Sequence, residues 1–134
     1  MRIFQLTRIN VVPVSEMTQP ELAGEWKEIW RVFGYVKDRV RKGHTPADVL
    51  SPEKYTLGSG HVTFFYTRLQ YIIDRIDSLY SEMIRRGYSP NEGMMVTAIQ
   101  SAKAEIPSEW FGEYYPTQEA IALNIQRMKD NGTR

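Results

Sequence analysis

The sequence predicts an all-α protein, a single compact domain (residues 1–134) of three main helices with an extended N-terminal arm. Three observations predict it. Apolar residues recur at three- and four-residue spacing over long stretches. Helix caps open and close those stretches. No segment alternates apolar and polar residues as a half-buried strand would. The arm, Met1 to Met17, is rich in Val and Ile, carries Pro13 and lacks helical periodicity, so it reads as extended chain running over the core. The first helix opens with Thr18 as N-cap and Glu21 three residues later, the spacing of a capping box, with Pro20 in the first turn. Leu22, Trp26, Ile29, Trp30, Phe33, Val36 and Val40 follow at helical spacing, with a kink expected at Gly34 and a stop at Gly43. His44 to Gly60, punctuated by Pro46, Pro52, Gly58 and Gly60, reads as a loop. The second helix carries one continuous apolar stripe through Val62, Phe65, Leu69, Ile72, Ile76, Leu79, Met83 and Ile84. Arg85 and Arg86 suit its C-terminus, and Gly87 closes it. Tyr88 to Phe111 reads as irregular, with a short helical possibility from Met94 to Lys103. The third helix is expected from about Thr117 to Lys129, with Ala120, Ile121, Leu123, Asn124 and Met128 facing inward.

A chain of 134 residues buries about two-thirds of its unfolded surface, enough for one apolar core. Apolar residues are 42% and charged residues 25%, the balance of an ordinary globule rather than a disordered chain. Without cysteine there are no disulfides, thiolate nucleophiles or thiolate-held metals. His44 and His61 stand 17 residues apart, so a metal site is not expected, and nothing points to an organic cofactor. No apolar run approaches the ~20 residues of a membrane span, and MRIFQL is too short and too weakly apolar for a signal peptide. A cytoplasmic monomer with no membrane partner is expected. The net charge of +1 is far from the strongly basic signature of many nucleic-acid binders. Its distribution is uneven: Lys27 to Lys42 holds six basic residues against two acids, a local +4. Alone, that run reads as a solvated helix face.

Several motifs together carry a resemblance. Thr7-Arg8-Ile9-Asn10, Val14-Ser15-Glu16, Glu25-Trp26-Lys27-Glu28, Arg31-Val32-Phe33-Gly34 and above all Leu57-Gly58-Ser59-Gly60-His61-Val62-Thr63-Phe64-Phe65-Tyr66 are similar to the phage endonuclease V family. Arg86-Gly87-Tyr88, Ile106-Pro107 and Gly112-Glu113-Tyr114-Tyr115-Pro116 extend the similarity, which runs in one register from Thr7 to about Arg127. That family consists of pyrimidine dimer DNA glycosylases with abasic-site lyase activity. The resemblance implies three main helices with the arm between them (residues 7–130, with 1–6 as an extension). It implies a DNA repair enzyme that acts on duplex DNA carrying a damaged or modified base.

It also implies a mechanism. The free α-amine of a threonine attacks the anomeric carbon, displaces the base and forms an imine, and β-elimination nicks the strand. Thr7 aligns with that threonine and Glu28 with the assisting glutamate. Arg8, Lys27, Arg31 and Arg127 align with positions that hold phosphates or the distorted duplex. The chemistry is sound for these residue types. An α-amine with a pKa near 8 is unprotonated far more readily than a lysine, and a carboxylate can stabilise developing oxocarbenium charge and move a proton. Lys27 stands where the family has arginine, keeping the charge and losing the bidentate fork. Trp26 reads as core, Trp30 as a candidate for stacking on an extruded base, and His61 as structural, bonding a loop.

Three departures bear on activity. Met1 to Leu6 precede Thr7, so in the full sequence Thr7 carries an amide rather than an amine. Translation from an alternative start at Leu6 followed by removal of the initiator methionine, or proteolysis before Thr7, would restore the amine. Otherwise the Met1 amine or Lys27 takes its place, or lyase chemistry is lost. The chain ends at Arg134, short of the basic, aromatic tail expected of the family, and Glu21 stands where a histidine is expected near the damaged strand, adding negative charge. The alternative functions are a glycosylase for a modified base and a catalytically silent DNA-binding or protein-interaction module.

Overall fold

The computed structural model describes residues 7–132. The expectations for Met1 to Leu6, the extension and the Met1 amine, lie outside the described residues. Among those residues the protein is all-α, with no strand beyond one isolated bridge between Arg68 and Phe111. A single 3-10 turn, Val14–Glu16, ends the arm. Five longer helices and one short one follow: α1 (Gln19–Glu28), α2 (Arg31–Arg41), α3 (Thr63–Tyr66), α4 (Leu69–Arg85), α5 (Glu92–Glu105) and α6 (Gln118–Asp130). No described helix is long and apolar enough to cross a membrane.

The capping box at Thr18 forms as its spacing requires. The Glu21 amide donates to Thr18 Oγ1 at 3.3 Å and the Thr18 amide donates to Glu21 Oε1 at 2.9 Å, satisfying two donors at the start of α1. Glu21 is buried in the cap and also lines the cleft that holds Arg8, Glu28 and Arg127. The expected single first helix divides, and not at Gly34, which lies inside α2 with open space where a Cβ would sit. It divides at Ile29–Trp30. There Val32 and Phe33 donate to carbonyls three residues back, at 3.3 and 3.2 Å, tightening the chain by a turn. Ile29 is fully buried at this corner, and Trp30 meets Trp26 edge to face at 4.9 Å.

The second predicted helix also divides, at Thr67–Arg68, because the later chain crosses it there. The Gly112 amide donates to the Thr67 carbonyl at 3.2 Å, and the Gln70 amide donates to the Gly112 carbonyl at 3.1 Å, satisfying one of the unpaired donors at the start of α4. Arg68 donates to the Phe64 carbonyl at 2.6 Å and lies over the Phe64 ring, 3.9 Å from its centroid. The stretch expected to be irregular contains the 14-residue α5, N-capped by Asn91, whose side chain accepts from the Met94 amide at 2.9 Å. Only Met95 and Ala102 of α5 are buried, so its apolar periodicity is sparse in the sequence. In α6 the buried face is Ala120, Asn124 and Met128. Leu123, expected inside, sits at the rim and is exposed.

One core unites these elements. Leu22, Ile29, Val32, Val36, Phe64, Phe65, Leu69, Ile72, Ile76 and Leu79 are fully out of water, and α4 packs against α1, α3 and α5. The arm does not lie over this core but inside it: Ile9, Val11, Val12 and Met17 are all buried. The crossing at Thr67 yields a direct test. A Cβ at Gly112 would overlap the Thr67 carbonyl oxygen, a backbone atom that cannot step aside cheaply. Gly112→Ala is expected to cost about 1–3 kcal/mol, read as a lower midpoint in denaturant unfolding with an unchanged slope.

Candidate active site at the start of the arm

A buried extended segment with no neighbouring strand must satisfy its backbone polar groups by other means. Here side chains from three helices and the loop before α3 do so. The Arg8 amide donates to Glu28 Oε1 at the end of α1, at 2.9 Å. The Ile9 amide donates to His61 Nε2 at 2.9 Å, and the Ile9 carbonyl accepts from the Tyr55 hydroxyl at 3.1 Å. The Asn10 carbonyl accepts from Tyr71 at 2.9 Å. The Val11 and Val12 amides share Asn124 Oδ1 at 2.6 and 3.2 Å, and the Val12 carbonyl accepts from Arg75 Nη1 at 2.7 Å.

These groups are themselves cross-linked. Arg75 Nε and Nη2 fork onto the two oxygens of Glu25, each at 2.9 Å, with both residues buried. Glu25 Oε1 also accepts from Asn10 Nδ2 at 3.0 Å, while Asn10 Oδ1 accepts from Asn124 Nδ2 at 2.9 Å and from Arg127 Nη2. The Glu25 charge holds the Arg75 pKa above its ordinary value, opposing a burial cost that is the largest influence on it. A buried pair of this kind is stable because the fork and the added hydrogen bonds leave neither charge uncompensated.

The network ends in a narrow cleft of about 70 Å³, lined among others by Arg8, Asn10, Glu25, Glu28 and Arg127. A second cavity of about 220 Å³ adjoins it on the other side of Arg8 and Arg127, where Thr7, Leu57, Gly58, His61 and Val62 form the wall. Thr7 is buried, with its hydroxyl 3.1 Å from that of Tyr35. Burial lowers the Arg127 pKa from its ordinary value, with the Arg8 charge adding to the effect and Tyr55, Glu25 and Glu28 opposing it. Arg127 also keeps a buried Nε with no hydrogen-bond partner.

Thr7, Arg8, Glu28 and Arg127, widely separated in sequence, therefore meet at one place. Lys27, exposed on the last turn of α1, and Arg31, half-buried at the start of α2, line neither cavity. The basic run around them is partly spent internally: Lys37 pairs with Glu105 at 3.4 Å and Lys42 with Asp38 at 2.9 Å. Arg75, Glu25, Asn10 and Tyr35 were not singled out as site-forming residues by sequence reasoning. A signal existed for Arg75, which falls on the apolar stripe between Ile72 and Ile76, and Asn124 already stood among inward-facing positions of α6.

A family model described as pyrimidine dimer DNA glycosylase matches residues 1–96 of the 134, and the chain belongs to that family. The match contains Thr7, Arg8, Lys27, Glu28 and Arg31 and stops short of α6, which carries Arg127. Membership makes the protein a DNA repair glycosylase at the level of the family, with DNA as substrate.

His61 fixes the arm and supplies a test. Its Nδ1–H donates to the Thr56 carbonyl at 2.7 Å and its Nε2 must be bare to accept from Ile9. Burial, above all, pushes its pKa down to about 4, and the Arg127 and Arg8 charges push the same way against the Thr56 carbonyl. The unfolded chain takes up this proton near pH 6.5 and the folded one only near 4. Stability is therefore full above about pH 6.5, falls as pH drops toward 4, and loses about 3 kcal/mol over that window. In His61→Gln, unfolding free energy measured across this range should lose that slope.

Proposed function

We propose that this member of the pyrimidine dimer DNA glycosylase family excises a damaged base from duplex DNA and nicks the resulting abasic strand by β-elimination. Thr7 supplies the nucleophilic α-nitrogen, Glu28 is the assisting carboxylate, and Arg8, Lys27, Arg31 and Arg127 contact the DNA. Pyrimidine dimers formed by ultraviolet light are the substrate that family membership favours. The observation that carries this reading is the hydrogen bond from the Arg8 amide to Glu28 Oε1. It holds the residue that bears the nucleophile one position away from a carboxylate in a cleft shared with two arginines. Glu25 lines the same cleft, but its oxygens are engaged by Arg75 and Asn10.

The nitrogen bonds to C1′ as the glycosidic bond breaks and the base leaves with its electron pair and a proton. A second proton passes to O4′ as the sugar ring opens to the imine. Glu28 then removes a C2′ proton, the C3′–O3′ bond breaks, and the 3′-phosphate departs. Water hydrolyses the imine and returns the amine. The reaction requires that the Thr7 nitrogen carry no peptide bond, through initiation at codon 6 followed by removal of the initiator methionine, or through cleavage between Leu6 and Thr7. Arg8 and Arg127 share the cleft with the carboxylates of Glu21 and Glu28, and Arg127 has an unpaired buried N–H that a phosphate oxygen would satisfy. Lys27 and Arg31 extend the positive surface along the first two helices.

The burial of Thr7 favours a second reading, in which the residue stays acylated and the protein binds DNA without chemistry. Borohydride trapping on a duplex with one abasic site separates the two, since reduction fixes any imine as a covalent adduct. Glu28→Gln should slow adduct formation or strand cleavage by about 10²–10⁴-fold, the usual worth of a positioned acid–base group, while duplex affinity persists. Unchanged chemistry in that variant removes Glu28 from the mechanism, and no adduct with the unmutated chain supports the binding module. Lys27→Ala should weaken binding to damaged and undamaged duplexes alike and lower the slope of log affinity against log salt by about one. An unchanged slope removes Lys27 from the interface.

A further inference from the structure

We propose that the hydroxyl of Tyr35 is a positioning group for the chemistry at Thr7, setting the direction of the Thr7 α-nitrogen. The proposal rests on the reading above that Thr7 bears the nucleophile. Tyr35 lies on α2, seven residues beyond Glu28 and across the Ile29–Trp30 corner. Its ring remains 39% exposed, yet its hydroxyl turns inward to Thr7 Oγ1 at 3.1 Å. The ring is held by its neighbours. It lies against Tyr66 at 6.2 Å between centroids, with the planes tilted by 33°, and Arg39 covers the Tyr66 ring at 5.5 Å. The aim of the hydroxyl is thus fixed by packing on α2 and α3.

The geometry of the arm makes that contact decisive. The Ile9 amide is tied to His61 and the Arg8 amide to Glu28, so the plane of the Thr7–Arg8 peptide is held and the Thr7 Cα with it. One backbone rotation, about the Thr7 Cα–C bond, still swings the α-nitrogen. That rotation carries the side chain too, and the threonine side chain has few staggered positions of its own. Anchoring Oγ1 on Tyr35 selects one combination of the two, and with it one direction for the nitrogen relative to Glu28. Small errors in such an alignment cost large factors in rate because they break a near-attack geometry.

Tyr35→Phe keeps the ring on Tyr66 and removes only the hydroxyl. The test compares single-turnover rates of borohydride-trapped imine formation on an abasic-site duplex, with the expressed protein and its N-terminus read by mass. Tyr35→Phe is expected to slow the rate about tenfold while duplex affinity and thermal midpoint stay as in the unmutated protein. Thr7→Ala should show the same loss, the double variant should lose no more than either single one, and Thr7→Ser should recover most of the rate lost in Thr7→Ala. An unchanged rate in Tyr35→Phe, or losses that multiply in the double variant, overturns the proposal alone. A loss of affinity and midpoint in parallel with rate assigns Tyr35 a structural role and also overturns it. If the unmutated protein forms no adduct, the reading of Thr7 as nucleophile falls and takes the proposal with it.

Discussion

The rest of this structure depends on one constraint: an extended segment, Ile9 to Val12, runs through the core with no strand beside it. Backbone N–H and C=O groups taken out of water need partners. With no sheet to supply them, the helices present polar side chains to the interior: Tyr71 and Arg75 from α4 and Asn124 from α6, with Glu25 from α1 holding Arg75 and the Asn10 side chain. Each is then obliged to satisfy its own remaining capacity. The result is a continuous network from the Glu25–Arg75 pair through Asn10 to Asn124 and Arg127. A polar core of this kind is costly if any member is lost, because its partners stay buried. It also fixes the register of the arm to the residue, which an apolar groove would not.

That register connects folding to the site. The arm emerges where Glu28 closes α1, and Arg127 reaches the same cleft from α6 while its guanidinium is bound to Asn10. The elements that hold the arm therefore also aim the groups proposed to act on DNA. The positive charge near the cleft comes from the arm and the last helix, Arg8 and Arg127, more than from the basic run of Lys27 to Lys42, part of which is consumed by Glu105 and Asp38.

Where a local interaction decides the structure, the sequence was legible. Thr18 and Glu21 spelled the start of α1 three residues apart, Gly43 and Gly87 take up the positive φ that ends α2 and α4, and the long apolar stripes give the helical class. Where a distant segment decides, it was not. Nothing near Thr67 announces that Gly112 will cross there and divide the helix. Helix α5 buries so few residues that its period is faint, and its clearest local mark is the Asn91 cap. Of the six residues that the resemblance implies, the fold brings Thr7, Arg8, Glu28 and Arg127 together, while Lys27 and Arg31 line neither cavity. Tyr35 meets Thr7 from 28 residues away, a contact that no local pattern signals.

In the proposed mechanism an amine at Thr7, beside Glu28, forms the covalent intermediate. The most direct measurement is peptide mapping by mass spectrometry of the borohydride-reduced protein–DNA adduct. The expected result is a reduced sugar remnant on the α-nitrogen of Thr7 at the head of its peptide. A remnant on Lys27 or Met1, or an adduct on a peptide in which Leu6 is still joined to Thr7, would contradict it.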